Sequence, residues 1–111
     1  MSKNSVDLSN LIERVRRGEI AALGMLYESE SPHLLALALR LTADRRAAEA
    51  VVHELFCTLW RKPDAVERDV RDYLVRSALK LVEAATALRR RKRLVSRVRR
   101  REEPLEQRSR E

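Results

Sequence analysis

Between Asp44 and Pro63, the apolar residues Ala48, Val51, Val52, Leu55, Phe56, Leu59 and Trp60 recur at i, i+3, i+4, i+7 and i+8. This spacing lays one apolar stripe along an α-helix and is incompatible with a strand, whose faces alternate residue by residue. The opposite face holds Arg46, Glu49, Ala50, His53, Glu54 and Arg61. Asp44 is placed to cap the helix and Pro63 to stop it. A helix with one greasy side cannot stand alone, so the neighbouring segments must cover that side.

They carry matching patterns. Asp7 or Ser5 can cap a first helix bearing Leu8, Leu11, Ile12 and Val15, with Arg14, Arg16 and Arg17 in its last turn and Gly18 as its stop. A second helix starts near Glu19 with Ala22, Leu23, Leu26 and Tyr27 at helical spacing. Ser29-Glu30-Ser31-Pro32 is expected to break or kink it and to restart a helix at Pro32. The run Leu34 to Leu39 is apolar on every face and is expected to be the most buried helix. Residues 61–69 read as a charged loop. Asp69 then caps a last helix with Val70, Tyr73, Leu74, Ser77, Ala78, Leu81, Val82, Ala85 and Leu88 on one stripe. Trp60 and Phe56 are expected in the core.

With 2 glycines and 3 prolines in 111 residues, tight hairpins are too few for an all-β fold. The fold class is therefore all-α, a compact bundle of four to five helices. The expected organisation is a flexible N-terminus at 1–7, one helical domain over 8–93, and a charged tail or linker over 94–111. Cys57 is the single cysteine, so no intrachain disulfide staples the fold. No apolar stretch approaches the ~20 residues of a membrane span, and Met1 to Leu8 lacks the apolar core of a signal peptide. The simplest expectation is a cytoplasmic protein. Net charge is +7, which favours a polyanionic partner, nucleic acid first.

Three stretches carry a family resemblance: LIERVRRGEIAALGMLYE, SPHLLALALRLTADRRAAEAVVHELFCTLWR and RDYLVRSALKLVEAATALRRRKR. In order and spacing they resemble region two of bacterial RNA polymerase sigma factors of the extracytoplasmic-function type, over about residues 8–93. The resemblance implies a sigma region 2-like bundle that is not an enzyme and has no cofactor. It implies a transcription initiation module that binds core RNA polymerase, through a coiled coil of the β′ subunit, and the −10 promoter element. Where the family has an aspartate, a glutamine and an asparagine, this chain has Ala50, His53 and Lys80; Tyr73 stands where a tryptophan is frequent, and an aspartate frequent near Ala84 is absent. A complete member also carries a second, −35-reading domain (region 4), which does not fit after residue 93. A fragment and a stand-alone region-two protein are both compatible with that length.

Two surfaces follow. Arg46, Glu49, His53 and Glu54 share the exposed sector of the 45–61 helix and are the expected polymerase-binding set; charges on a rigid helix fix register with a partner helix more than they add affinity. Arg61, Lys62, Arg68, Arg71, Tyr73, Arg76 and Lys80, with the run Arg89, Arg90, Arg91, Lys92 and Arg93, are the expected DNA-binding set, because such a run is most easily neutralised by phosphates. His53 and Cys57 stand at i, i+4, yet a closed zinc site needs four ligands, so no metal is expected. No nucleophile–base pair, phosphate-cradling glycine loop or inward carboxylate pair stands out, so no catalytic residue is assigned. Two rival functions remain: a degenerate region-two module that binds polymerase or an anti-sigma factor without opening promoters, and a non-specific nucleic-acid-binding helical protein.

Overall fold

The protein is all-α. A computed structural model describes the backbone of residues 7–110 and the side chains of residues 7–101. The expected flexibility of the N-terminus falls, apart from Asp7, on residues outside the described ones. Four α-helices follow in chain order: α1 (Leu8–Arg16), α2 (Ile20–Thr42), α3 (Arg45–Arg61) and α4 (Val70–Arg110), with one 3-10 turn at Pro63–Ala65.

Helix starts follow local chemistry. The Asp7 carboxylate accepts from the Asn10 N–H at 3.1 Å, that of Asp44 from Ala47 at 3.2 Å, and that of Asp69 from Asp72 at 3.1 Å. Each satisfies one of the orphan donors of a helix N-terminus. The end of α1 is a Schellman motif: the Gly18 N–H donates to the Val15 carbonyl and the Glu19 N–H to the Arg14 carbonyl. Gly18 sits at φ +85°, where a side chain would be strained.

The helix α2 packs against all three other α-helices. Its buried residues are Ala22, Leu26, Glu30, Leu34, Ala38 and Thr42, every fourth position. Such a row is one ridge of the helix surface, suited to insertion between neighbours. Two expectations are corrected here. The helix does not break at Ser29–Pro32 but runs through Pro32. An interior proline costs about 3 kcal/mol, but Leu26 and Leu34, buried on either side, hold the two turns on one core. Pro32 and Glu28 face solvent, so water can serve the carbonyl that loses its donor. Nor is the leucine run buried on every side. Leu34 and Ala38 are buried, Leu35, Leu37 and Leu39 are half-buried, and Ala36 and Leu41 are exposed. Three neighbours cannot cover the whole circumference of a helix.

In α3 the stripe Ala48, Val51, Val52, Leu55, Phe56 and Leu59 is buried as its period requires. Trp60 is the exception, with 36% of its surface exposed. At about 100° per residue it falls beyond Phe56 on the outer edge of the stripe. Phe56 meets Tyr27 of α2 edge to face, ring centroids 5.0 Å apart.

The 61–69 segment is less of a loop than its charge suggests. Val66 is buried beneath the ends of α1 and α3, and its carbonyl accepts from the Arg16 guanidinium. In α4, Val70, Leu74, Ala78 and Val82 complete the core. The segment expected to be a tail or linker after residue 93 continues the same helix to Arg110. Its 41 residues make a rod of about 62 Å, which accounts for the 72 Å longest dimension of a molecule only 27 and 21 Å across. Residues 90–101 are exposed throughout. The good helix formers in this stretch extend a turn already nucleated by the packed part of α4, so propagation needs no new nucleus.

Candidate functional site

The outward sector of α3 is built as its period requires. Arg46, Glu49, His53 and Glu54 are all exposed. Glu49 is paired with Arg45 at 2.9 Å, and the Glu54 carboxylate accepts from Thr58 at 3.2 Å and Arg61 at 3.3 Å. These pairs lie on the helix's own solvent face, where each contributes only a few tenths of a kcal/mol, so a partner's cations can displace them at small cost. The His53 ring nitrogen Nε2 lies 3.5 Å from the Cys57 sulfur. No cluster of three or more His, Cys, Asp or Glu side chains is arranged for a metal ion among the described residues.

Tertiary packing adds something the α3 pattern alone does not contain. Glu49 and His53 form one bank of a groove of about 580 Å³ between α3 and α2. Tyr27, Pro32 and Leu35 line the other bank. The sequence places Tyr27 only on a helical stripe; its contact with Phe56 across two helices, and so its place on this groove, depends on a pairing that local periodicity does not encode.

The residues expected to meet DNA divide into groups. Arg68, Tyr73 and Arg76 come together around a hollow of about 330 Å³ at the start of α4. Glu67, Asp69 and Asp72 line the same hollow, and Arg76 is paired with Asp72 at 2.8 Å. Tyr73 is half-buried and lines the hollow. Lys80, one turn on from Arg76, is exposed on the same side of the helix. Arg61 lies on α3 and bonds to Glu54, so it belongs with the α3 sector; Lys62 is exposed at the end of that helix.

Arg71 does not line this hollow. Its guanidinium grips Glu30 of α2 through two parallel bonds, Nε to Oε1 at 2.8 Å and Nη2 to Oε2 at 2.9 Å. The Glu30 side chain is 3% exposed and that of Arg71 is 56% exposed. The Arg71 hydrogen bond holds the Glu30 carboxyl below the usual carboxylate range against the opposing effect of burial, with the Ser29 hydroxyl assisting at 2.8 Å. Glu30 in turn raises the pKa of Arg71. Sequence spacing misses Glu30 altogether: a charged residue two positions before a proline looks like part of a break, and its partner lies 41 positions away.

Of the basic run, Arg89 is half-exposed and lies 3.6 Å from the Asp44 carboxylate, the cap of α3. Arg90, Arg91, Lys92 and Arg93 follow on the emerging helix. The cationic stretch then continues through Arg97, Arg99, Arg100 and Arg101 on the same rod, all exposed. Sequence reading assigns these last four to a tail and not to the site. The good helix formers around them are the available signal.

No helix among the described residues is long and apolar enough to cross a membrane. No family model, no curated protein and no solved structure matches the chain.

Proposed function

We propose that this protein is a sigma-factor-type transcription initiation module that docks on core RNA polymerase through the outward sector of α3 and engages −10 promoter DNA through the start of α4 and its basic extension. The observation that carries the reading is the joint arrangement of α3 and α4. Four polar residues of α3, Arg46, Glu49, His53 and Glu54, face solvent, while the helix after them leads out of the core into an exposed cationic rod. A protein grip and a nucleic-acid handle on consecutive rigid helices suit a subunit that lends DNA specificity to an enzyme, and the motif order over residues 8–93 resembles that family. The assay is a pull-down with core polymerase. Wild-type protein is expected to bind, and Glu49→Lys with Glu54→Lys to weaken binding at least about tenfold without changing the fold. No binding by the wild type, or undiminished binding by the double variant, rejects the reading.

A second reading is favoured by one specific observation. The hollow that gathers Arg68, Tyr73 and Arg76 is also lined by three carboxylates, and Arg71 and Arg89 are engaged with Glu30 and Asp44. Carboxylates near a bound nucleotide repel its phosphates. That arrangement suits a degenerate region-two module, one that occupies polymerase or an anti-sigma-type regulator and does not melt promoters. Transcription in vitro separates the two: promoter-dependent transcripts support the first reading, and polymerase binding without transcripts supports the second.

A further inference from the structure

From the juxtaposition of an apolar groove and a cation track on one side of α4, we infer that this side is a docking site for a protein segment that is aliphatic at one end and acidic along the rest. The groove, about 420 Å³, lies where the end of α2 meets α4. Leu41, 51% exposed, and Leu79, 39% exposed, form its apolar walls together with Val82 and Ala87, and Arg90 closes one end. Exposed leucines facing each other across a concave site are costly to leave wet.

The second half of the site lies in line with the first. Leu79, Glu83, Thr86, Arg90, Arg93, Arg97 and Arg101 follow one another at steps of four, three, four, three, four and four. Residues at these steps share one side of a helix. A partner lying along α4 therefore leaves the groove directly onto Arg93, Arg97 and Arg101, all exposed. The distance from Leu79 to Arg101 is about 33 Å. Glu83 is the one acidic residue between those two positions.

Charge complementarity selects the occupant. A second copy of this chain would bring the same arginines against these and be repelled. Duplex DNA would neutralise the track but leave the groove leucines exposed, because phosphates have nothing to place between them. A lipid surface is flat and does not enter a cleft between two helices. A segment with aliphatic residues for the groove and carboxylates for the track satisfies both halves. This site goes beyond the polymerase and promoter reading and shares the exposed arginines of the α4 extension with it, so an acidic segment seated here competes with nucleic acid for Arg90, Arg93, Arg97 and Arg101.

The test is fluorescence anisotropy with full-length protein and three labelled probes: a synthetic helical peptide of about 22 residues, long enough to span the site, with leucines in its first two turns and glutamates after them; an oligoglutamate of equal charge; and a duplex DNA. The peptide is expected to bind at least about tenfold tighter than oligoglutamate, a difference of about 1.4 kcal/mol. Leu41→Gln with Leu79→Gln should abolish that advantage and leave DNA binding within about twofold, an effect below ~0.5 kcal/mol. Ala87→Gln, which places a neutral polar side chain at the rim of the groove, should do the same if the leucine variant folds poorly. Arg93→Gln with Arg97→Gln should weaken peptide and DNA alike, and peptide should displace DNA. Equal binding of peptide and oligoglutamate overturns the inference, as does unchanged peptide binding in the groove variants. So does a dimer in sedimentation that Leu41→Gln dissociates, since the groove would then belong to a second copy. None of these readouts depends on polymerase, so failure here is distinct from failure of the initiation reading.

Discussion

Arg71→Ala tests whether the Glu30–Arg71 pair is a strut or part of a ligand surface. The variant leaves the buried Glu30 carboxylate with the Ser29 hydroxyl as its remaining side-chain partner. Losing one partner of a fully buried ion pair costs about 3–5 kcal/mol. The Arg71 side chain is 56% exposed, so water screens the pair and can reach part of the vacated space; the expected loss is nearer ~2 kcal/mol, the range for hydrogen bonds to a charged group. For a domain of this size that lowers the melting temperature by about 10 °C. Urea and thermal unfolding followed by circular dichroism at pH 7 measure it. The pH dependence gives a second readout. Glu30 is depressed in the folded state, so in the wild type its contribution is present above the ordinary carboxylate pKa and is lost as pH falls through the lower folded value. In Arg71→Ala the buried, unpaired carboxylate prefers its neutral form, so the variant's deficit should shrink on acidification across that window. Glu30→Met with Arg71→Met, which removes both charges, should recover most of the loss. A variant within about 0.5 kcal/mol of wild type at pH 7, or one whose deficit is constant with pH, would refute the strut and return Arg71 to the nucleic-acid surface.

Gly18→Ala should cost about 1–2 kcal/mol in urea unfolding, because φ +85° is strained for any side chain; no loss would mean that the α1–α2 junction rearranges freely. Val95→Pro interrupts the projecting part of α4 and should lower helical circular dichroism while leaving the unfolding free energy within about 0.5 kcal/mol, since Val95 is exposed and lies beyond the core. Replacing Arg90, Arg91, Lys92 and Arg93 with glutamine should reduce the salt dependence of DNA binding by about 0.9 log units per log unit of salt for each duplex phosphate that is no longer neutralised. An unchanged slope in a salt titration would place the phosphate-binding cations elsewhere.

What the chain wrote locally and what packing decided separate along physical lines. The aspartate caps at positions 7, 44 and 69, the glycine stop at 18 and the buried face of α3 each depend on residues within a few positions of one another, so periodicity and capping chemistry carry them. The four exposed residues of the α3 sector follow from the same argument, because whatever is opposite a buried stripe faces water. The continuity of α2 through Pro32 was not legible, since a local penalty was outweighed by leucines packed on both sides. Trp60 is more exposed than its place on the stripe implies, because membership of a stripe does not say how far neighbouring helices wrap around it. The Glu30–Arg71 clasp and the groove between Leu41 and Leu79 join residues tens of positions apart. Only the fold brings such pairs together, because contact between distant residues depends on how whole helices cross and not on the residues that flank them.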